Sequence, residues 1–335
     1  RVRYASASRE TLAYQGTMHQ LAASPLGAID FARMVRALGR AVTEEVRATS
    51  ANIIHAHWWI PGALAVRMAD RAGRPYVVTV HGTDVALARR LPGGMALMGA
   101  VLRPAFTVTA VSSFLAASVA RALDVPASAI ALTPMPLALG RSADPDATRH
   151  GAIFVGRLTR QKGVHHLLEA LARLRREGRP IDLTVVGDGP ERAALKAQAI
   201  ALGLPVMFTG FVAPEQVAGY LRDKRVLVLP STDEGLGLVV AEALTQGVPV
   251  VATRSGGIPD LLADPDAGML VPPNDPASLA HGIREVTGED RYRIGAWRAG
   301  KALADRLSPE KVAEKFEGIY AKSRGSRSSM AAVQG

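Results

Sequence analysis

Three loops in the second half of the chain carry residue types suited to binding and stabilising anions. Gly156-Arg157-Leu158-Thr159-Arg160-Gln161-Lys162-Gly163 sets Arg157 and Lys162 between two glycines, ahead of a helical segment. Arginine offers a planar fork of donors and lysine a mobile point charge, a pair suited to a diphosphate beside a helix N-terminus. Pro230-Ser231-Thr232-Asp233-Glu234-Gly235-Leu236-Gly237-Leu238-Val239-Val240-Ala241-Glu242 carries two carboxylates, with Gly235 and Gly237 between them to let backbone amides approach a ligand. Glu242 lies among apolar Ala241, Ala243 and Leu244, so its carboxylate needs a partner, either a ribose diol or a structural Arg. Ser255-Gly256-Gly257-Ile258-Pro259-Asp260 offers another amide-lined turn, with Pro near a first helical position. Gly187-Asp188-Gly189-Pro190 contains GxG, but Arg192 stands where a dinucleotide fingerprint has its third glycine, so no NAD site follows.

The polar loop of the first half is His81-Gly82-Thr83-Asp84. His81 there can hydrogen-bond a reacting oxygen or a phosphate, and Asp84 is the expected group to orient it. His55 and His57 alternate along one segment and face one side, as in the HxH metal pairs of some hydrolases. No further ligand cluster follows at suitable spacing, and Trp58-Trp59 suggests packing, so no metal is expected. His165 and His166 read as a solvated helix face.

These loops need a scaffold, and the patterning supplies one. From Asn52 onward, short Val- and Ile-rich runs alternate with segments of helical period, the signature of βαβ units and a parallel sheet. The first half offers strands at Ile53–His57, Tyr76–Val80 and Phe106–Val111, with helices near Gly62–Ala72 and Ser112–Leu123. The second offers strands at Ala152–Val155, Asp182–Val186, Val206–Phe211, Val226–Leu229, Pro249–Thr253 and Met269–Val271. Over Val164–Arg176, the positions Val164, Leu167, Leu168, Leu171 and Leu174 form an amphipathic stripe that Gly178 ends. The Pro- and Asp-rich stretch Leu139–Arg149 reads as a linker. The expected organisation is therefore a first domain over 1–145, a second over 146–307, a helix over 308–323 and a disordered tail over 324–335. In open sheets of this kind, ligands bind beyond the carboxyl ends of the strands, where the three loops lie.

The 335 residues include 48% hydrophobic and 21% charged residues, which excludes whole-chain disorder and is enough for two cores. The absence of Cys excludes thiol nucleophiles, Cys-ligated zinc, iron–sulfur clusters and disulfides, and fits a reducing compartment. The uncharged stretch Pro104–Ala120 carries Ser and Thr and falls short of a membrane span. Residues 1–145 hold 15 Arg and no Lys against 8 acidic residues, while residues 146–335 hold 25 basic and 22 acidic. The basic first half therefore suits an anionic membrane surface or substrate. No zinc-finger spacing, aromatic RNA-binding signature or recognition helix accompanies it, so nucleic acid is not an expected partner.

Taken in order, Gly156-Arg157…Lys162-Gly163, Gly187-Asp188-Gly189-Pro190, Gly210-Phe211-Val212, Glu234-Gly235-Leu236-Gly237 through Glu242, Gly247-Val248-Pro249-Val250 and Gly256-Gly257 resemble glycosyltransferase family 4. These are retaining, sugar-nucleotide-dependent enzymes of the GT-B fold. The likeness covers about residues 52–322. It implies an α/β architecture of two Rossmann-like, doubly wound domains facing across a cleft, with donor bound mainly by the second and acceptor by the first. By position, Arg157 and Lys162 would hold the diphosphate and stabilise the departing nucleotide, Glu242 would accept the ribose hydroxyls, and Glu234 would face the donor sugar. Gly156 and Gly189 would line the donor site with the amides of Gly235, Leu236, Gly237 and Leu238. Val212 would lie by the base, and His81 would reach the sugar or phosphate from the first domain.

The resemblance implies no cofactor beyond the nucleotide-sugar substrate and no divalent metal, since two cations neutralise the leaving group. With no carboxylate beside Val212 until Glu215, a UDP-sugar is favoured over a GDP-sugar. The acceptor expected is a glycolipid, a lipid-linked saccharide or an exported polysaccharide, and the expected location is cytoplasmic, at the membrane face. A sugar-nucleotide epimerase of the same architecture and a non-catalytic nucleotide- or membrane-binding fragment are the alternatives. Arg1–Tyr14 resembles the region between early strands, so a first βαβ portion is expected to be absent and the first domain incomplete.

Overall fold

The computed structural model describes residues 25–69, 74–137 and 148–331. Arg1–Tyr14 and most of the expected linker, Leu139–Arg149, lie outside the described residues. Contacts divide the chain into one unit of Arg1–Thr133 with Glu314–Gly335, and a second of Pro134–Ala313.

The first unit opens with α1 (Pro25–Thr49), a 25-residue helix that buries Met34, Val35 and Val46. Sequence patterning did not single it out. Gly39 in its middle reads as a helix-weakening residue, yet a Cβ there would come 3.3 Å from Ala65 O, so a small residue suits the approach of the neighbouring helix. There follow β1 (Ile54–His57), an irregular helical segment (Trp58–Ala63), α2 (Leu64–Ala69), β2 (Tyr76–Val80), α3 (Thr83–Arg90), α4 (Gly94–Leu102), β3 (Thr107–Ala110), α5 (Ser113–Leu123) and β4 (Ala131–Leu132). The strands form a parallel sheet in the order β1-β2-β3-β4, with His57 opposite Thr79 and Thr79 opposite Thr109. β2 is buried throughout, as its unbroken Tyr-Val-Val-Thr-Val run requires of a strand covered on both faces. Ser112 caps α5 by accepting the amide of Leu115 at 3.4 Å.

The second unit is a six-stranded sheet. It contains β5 (Ala152–Val155), α6 (Val164–Arg176), β6 (Leu183–Val186), α7 (Arg192–Ala201), β7 (Val206–Gly210), α8 (Pro214–Arg222), β8 (Val226–Leu229) and α9 (Leu238–Thr245). It continues with β9 (Val250–Thr253), α10 (Ile258–Leu261), β10 (Gly268–Val271), α11 (Pro276–Gly288) and α12 (Asp290–Arg306). The order is β10-β9-β8-β5-β6-β7, every pair parallel. Chain order reverses direction between β5 and β8, so the crevice for a ligand opens beyond their carboxyl ends. The α6 stripe is buried: Leu167, Leu168 and Leu174 are fully enclosed, each worth about 1.5–3 kcal/mol against exposure.

The last helix, α13 (Pro309–Ala331), begins in the second unit and continues in the first from Glu314. It extends past Ser323, where the sequence suggested disorder. No proline interrupts Arg324–Ala331, and adding residues to an existing helix avoids the cost of nucleating one. Among the described residues, no helix is long and apolar enough to cross a membrane.

Candidate active site

The loop after β5 is anchored by Leu158, which is fully buried. Its amide donates to Asp188 O at 2.9 Å, while the amide of Gly156 donates to Val186 O at 2.9 Å. The loops after β5 and β6 thus lie backbone against backbone. A Cβ at Gly187 would come within 2.0 Å of Gly156 O, and one at Gly189 within 2.3 Å of Leu158 O. The glycines of Gly187-Asp188-Gly189 therefore serve loop packing, consistent with the missing third glycine. Gly187 donates to Gly210 O at 2.9 Å, which ties the strand end preceding Val212 into the same assembly.

The start of α6 meets the loop after β8 equally closely. Gly163 has φ +68, and its Cβ would stand 2.1 Å from Pro230 O, while the amide of Thr232 donates to Gln161 O at 2.8 Å. This contact brings Lys162 to Glu234, with Nζ 2.5 Å from Oε2, both side chains partly buried. Glu234 is held from its other side: its carbonyl accepts the amide of Gly257 at 3.0 Å, and a Cβ at Gly256, at φ +56, would lie 1.7 Å from that same oxygen. Gly237, at φ +82, passes beneath, where a Cβ would be 3.2 Å from Glu234 Cγ. Loops from β5, β8 and β9 thus converge on one lysine–carboxylate pair.

Arg157 is exposed and has no side-chain partner among the described residues, which leaves its guanidinium available to an anion. Glu242 sits on α9, partly buried, and no described residue hydrogen-bonds or ion-pairs with its carboxylate. Burial pushes its pKa up. The structural Arg that sequence left open is therefore not found, and the partner Glu242 lacks is one a ligand can supply. Val212 is partly exposed beyond Gly210. Ser231, fully buried just after β8 with no partner for its hydroxyl among the described residues, carried no sequence signal.

In the first unit, Asp84 does not orient the His81 ring. Buried on α3, it accepts the backbone amides of His81 at 3.1 Å, Gly82 at 2.9 Å and Trp59 at 3.2 Å. Capping its own loop brings the carboxylate to main-chain amides, away from the imidazole. Burial raises the Asp84 pKa, opposed by these amide hydrogen bonds. The ring partner is His57, whose Nδ1 lies 2.8 Å from His81 Nε2. His55 and His57 do face one side, with rings stacked at 4.5 Å. His55 reaches Tyr320 OH through Nδ1 and Thr79 Oγ1 through Nε2, each at 2.7 Å. Burial, then mutual proximity, lowers the pKa of His55 and of His81 to about 4, and burial lowers that of His57. No group of three or more metal-ligating side chains among the described residues is placed to hold a metal ion.

Two family models match the chain: "Glycosyl transferases group 1" over residues 142–294 and "Glycosyl transferase 4-like domain" over residues 7–136. The chain is 29% identical to a 2-deoxystreptamine glucosyltransferase of Streptomyces kanamyceticus, covering 86% of this chain and 83% of that protein. It is 30% identical to the putative teichuronic acid biosynthesis glycosyltransferase TuaC of Bacillus subtilis, over 80% of this chain and 70% of that protein. It is 31% identical to a GDP-mannose-dependent phosphatidylinositol monomannoside mannosyltransferase of Mycolicibacterium smegmatis, over 73% and 69%. HepE of Anabaena, solved in complex with UDP-glucose, shares the fold with a TM-score of 0.72 at 21% identity, over 93% of this chain and 90% of that one. Sucrose-phosphate synthase of Thermosynechococcus elongatus aligns with a TM-score of 0.73 at 22% identity, over 89% and 79%. These relatives disfavour the epimerase alternative. With loops converging beyond the strand ends of a doubly wound sheet and matches along both halves, the chain belongs to the glycosyltransferases of the GT-B fold.

Proposed function

We propose that this protein transfers a hexose from a nucleotide-sugar to a glycolipid, lipid-linked or polysaccharide acceptor with retention of anomeric configuration, favouring UDP-sugars over GDP-sugars. The observation that carries the reading is the Lys162–Glu234 pair at 2.5 Å, in a unit where the side chains of Arg157 and Glu242 have no partner among the described residues. In this reading Arg157 and Lys162 bind the diphosphate, Glu242 accepts the ribose hydroxyls, and Glu234 faces the sugar. Val212 lies by the base, and Gly156, Gly189, Gly235, Leu236, Gly237 and Leu238 shape the site. His81 hydrogen-bonds substrate. The bond from the anomeric carbon to the diphosphate oxygen breaks as the acceptor oxygen bonds to the same face, and the acceptor proton passes to the leaving phosphate. Two cations on the departing diphosphate do the work that a metal does elsewhere, so EDTA is expected to leave turnover unchanged. Activity lost to EDTA and restored by Mg²⁺ would overturn that point.

The preference for uridine rests on the surroundings of Val212, where no carboxylate precedes Glu215 to pair with a guanine edge. An anionic membrane partner is supported by the basic first half, where Arg33, Arg36, Arg40 and Arg47 are exposed along α1 at helical spacing, with Glu44 among them. Thermal unfolding with UDP, GDP and ADP, repeated on Glu242→Ala, tests the donor site. A ligand that binds only the folded state adds about 2.7 kcal/mol at 100 times its Kd, a readily measured shift. A UDP-selective shift abolished in the variant is expected; no shift with any nucleotide removes the assignment.

A further inference from the structure

We infer that His57 is the positioning residue of His81: its Nδ1–H donates to His81 Nε2, holds His81 as the Nδ1–H tautomer, and leaves that N–H to donate to a substrate oxygen. The inference rests on the reading of His81 as a ligand-binding group. His57 Nδ1 and His81 Nε2 are 2.8 Å apart, a distance that requires one hydrogen between two ring nitrogens. Neutral imidazole carries a single N–H, so whichever ring donates has spent it on its neighbour. If His81 donated to His57, its remaining nitrogen would be a bare acceptor, with no hydrogen left to donate to a substrate oxygen. If His57 donates, His81 keeps an Nδ1–H for the ligand.

The surroundings hold His57 in place for this role. Its backbone is fixed by strand pairing opposite Thr79. Its ring stacks on His55, which is itself tied at both nitrogens to Tyr320 and Thr79. The His81 backbone is held by Asp84, and Trp58 meets the His81 ring edge-on at 5.8 Å. The titratable groups facing the pair are His55 from β1, Tyr320 from α13 and Asp84 from α3. Burial raises the pKa of Tyr320 and of Asp84 and lowers that of all three imidazoles, so the rings are neutral at pH 7 and the one-proton arrangement is the resting one.

The test uses the whole chain in four forms: wild type, His57→Ala, His57→Asn and His81→Ala. Asparagine carries an amide N–H near the place of the histidine Nδ1–H, so it can rescue where alanine cannot. Two-bond ¹H–¹⁵N correlation spectra of the histidine rings are expected to show His81 as the Nδ1–H tautomer in wild type and His57→Asn, and as a mixture in His57→Ala. Release of nucleoside diphosphate from UDP-glucose and from GDP-mannose should fall about tenfold in kcat for His57→Ala, with donor KM little changed, and recover in His57→Asn. A wild-type spectrum with His81 as the Nε2–H tautomer overturns the inference, as does an unchanged tautomer with wild-type kcat in His57→Ala. Wild-type turnover of His81→Ala instead overturns the reading of His81 itself. The two failures are therefore distinct.

Discussion

The two units hold their polar groups by different means. In the second, backbone approach does the holding: at Gly163, Gly187, Gly189 and Gly256, an added Cβ would fall between 1.7 and 2.3 Å from a carbonyl oxygen of a neighbouring loop. Lys162 and Glu234 meet where the loops after β5, β8 and β9 pack main chain against main chain. In the first unit, side chains do the holding, with His57 on His81 and His55 on Thr79 and Tyr320. The backbone-built site should be brittle to any added atom. The imidazole cluster should tolerate isosteric replacement and respond to protons.

The largest expected effect is on turnover through the second unit's cations. Lys162→Ala or Arg157→Ala should lower kcat at saturating donor by on the order of 100-fold or more, as when one transition-state donor is removed. Near-normal turnover of both variants would break the leaving-group assignment.

Next comes Gly256→Ala measured against Gly178→Ala. Both positions have positive φ, at +56 and +75, so each alanine incurs about 1–2 kcal/mol for left-handed backbone. Only Gly256 adds a collision with Glu234 O, whereas the space around Gly178 is open. The Gly256 variant should lose more stability and also the nucleotide-induced thermal shift; equal losses in the two would show that approach between loops is not what builds the site.

The third expected effect separates the units by pH. His55 and His81 have folded pKa values of about 4, lowered by burial and by neighbouring imidazoles, against an ordinary 6.5. The unfolded chain binds their protons first as pH falls. Their stabilisation is thus complete above pH 6.5 and is lost as pH falls toward 4. The melting temperature of wild type should drop across that window more steeply than that of the His55→Gln, His81→Gln double variant, and parallel curves would refute the cluster's role as the acid-sensitive element.

The smallest effect has the opposite sign. Burial raises the Glu242 pKa, so its contribution is present below the ordinary value near 4.5 and is lost as pH rises through the raised value. Glu242→Gln should slightly raise the ligand-free melting temperature at pH 7 and weaken the shift produced by UDP. A lowered ligand-free midpoint would mean that the carboxylate has a partner in the protein.

Legibility followed the same division. The second unit's strands were readable to within a residue, because runs such as Val226–Leu229 are buried on both faces and bounded by polar segments, Asp223-Lys224-Arg225 before it and Ser231-Thr232-Asp233-Glu234 after it. Val164–Arg176 was readable outright, because burying one face of a surface helix imposes a 3.6-residue period. α1 escaped because the glycine its packing favours is one that local propensity disfavours. The two-residue β4 is too short to carry a period. Within the site, Arg157, Lys162, Glu234 and Glu242 stood out by type and spacing. The partnership of His57 with His81 did not, because it joins neighbouring strands and depends on register.

The sequence by itself determined the alternation of strands and helices, the placement of the glycine loops after strands, and the excess of arginine in the first half. All three follow from local preference, periodicity and counting. Tertiary structure alone decided that Lys162 meets Glu234, that no described residue partners the Glu242 carboxylate, and that Asp84 serves its backbone while His57 serves His81. Those outcomes depend on distances between segments far apart in the chain, and such distances are set by which strand lies beside which and in what register.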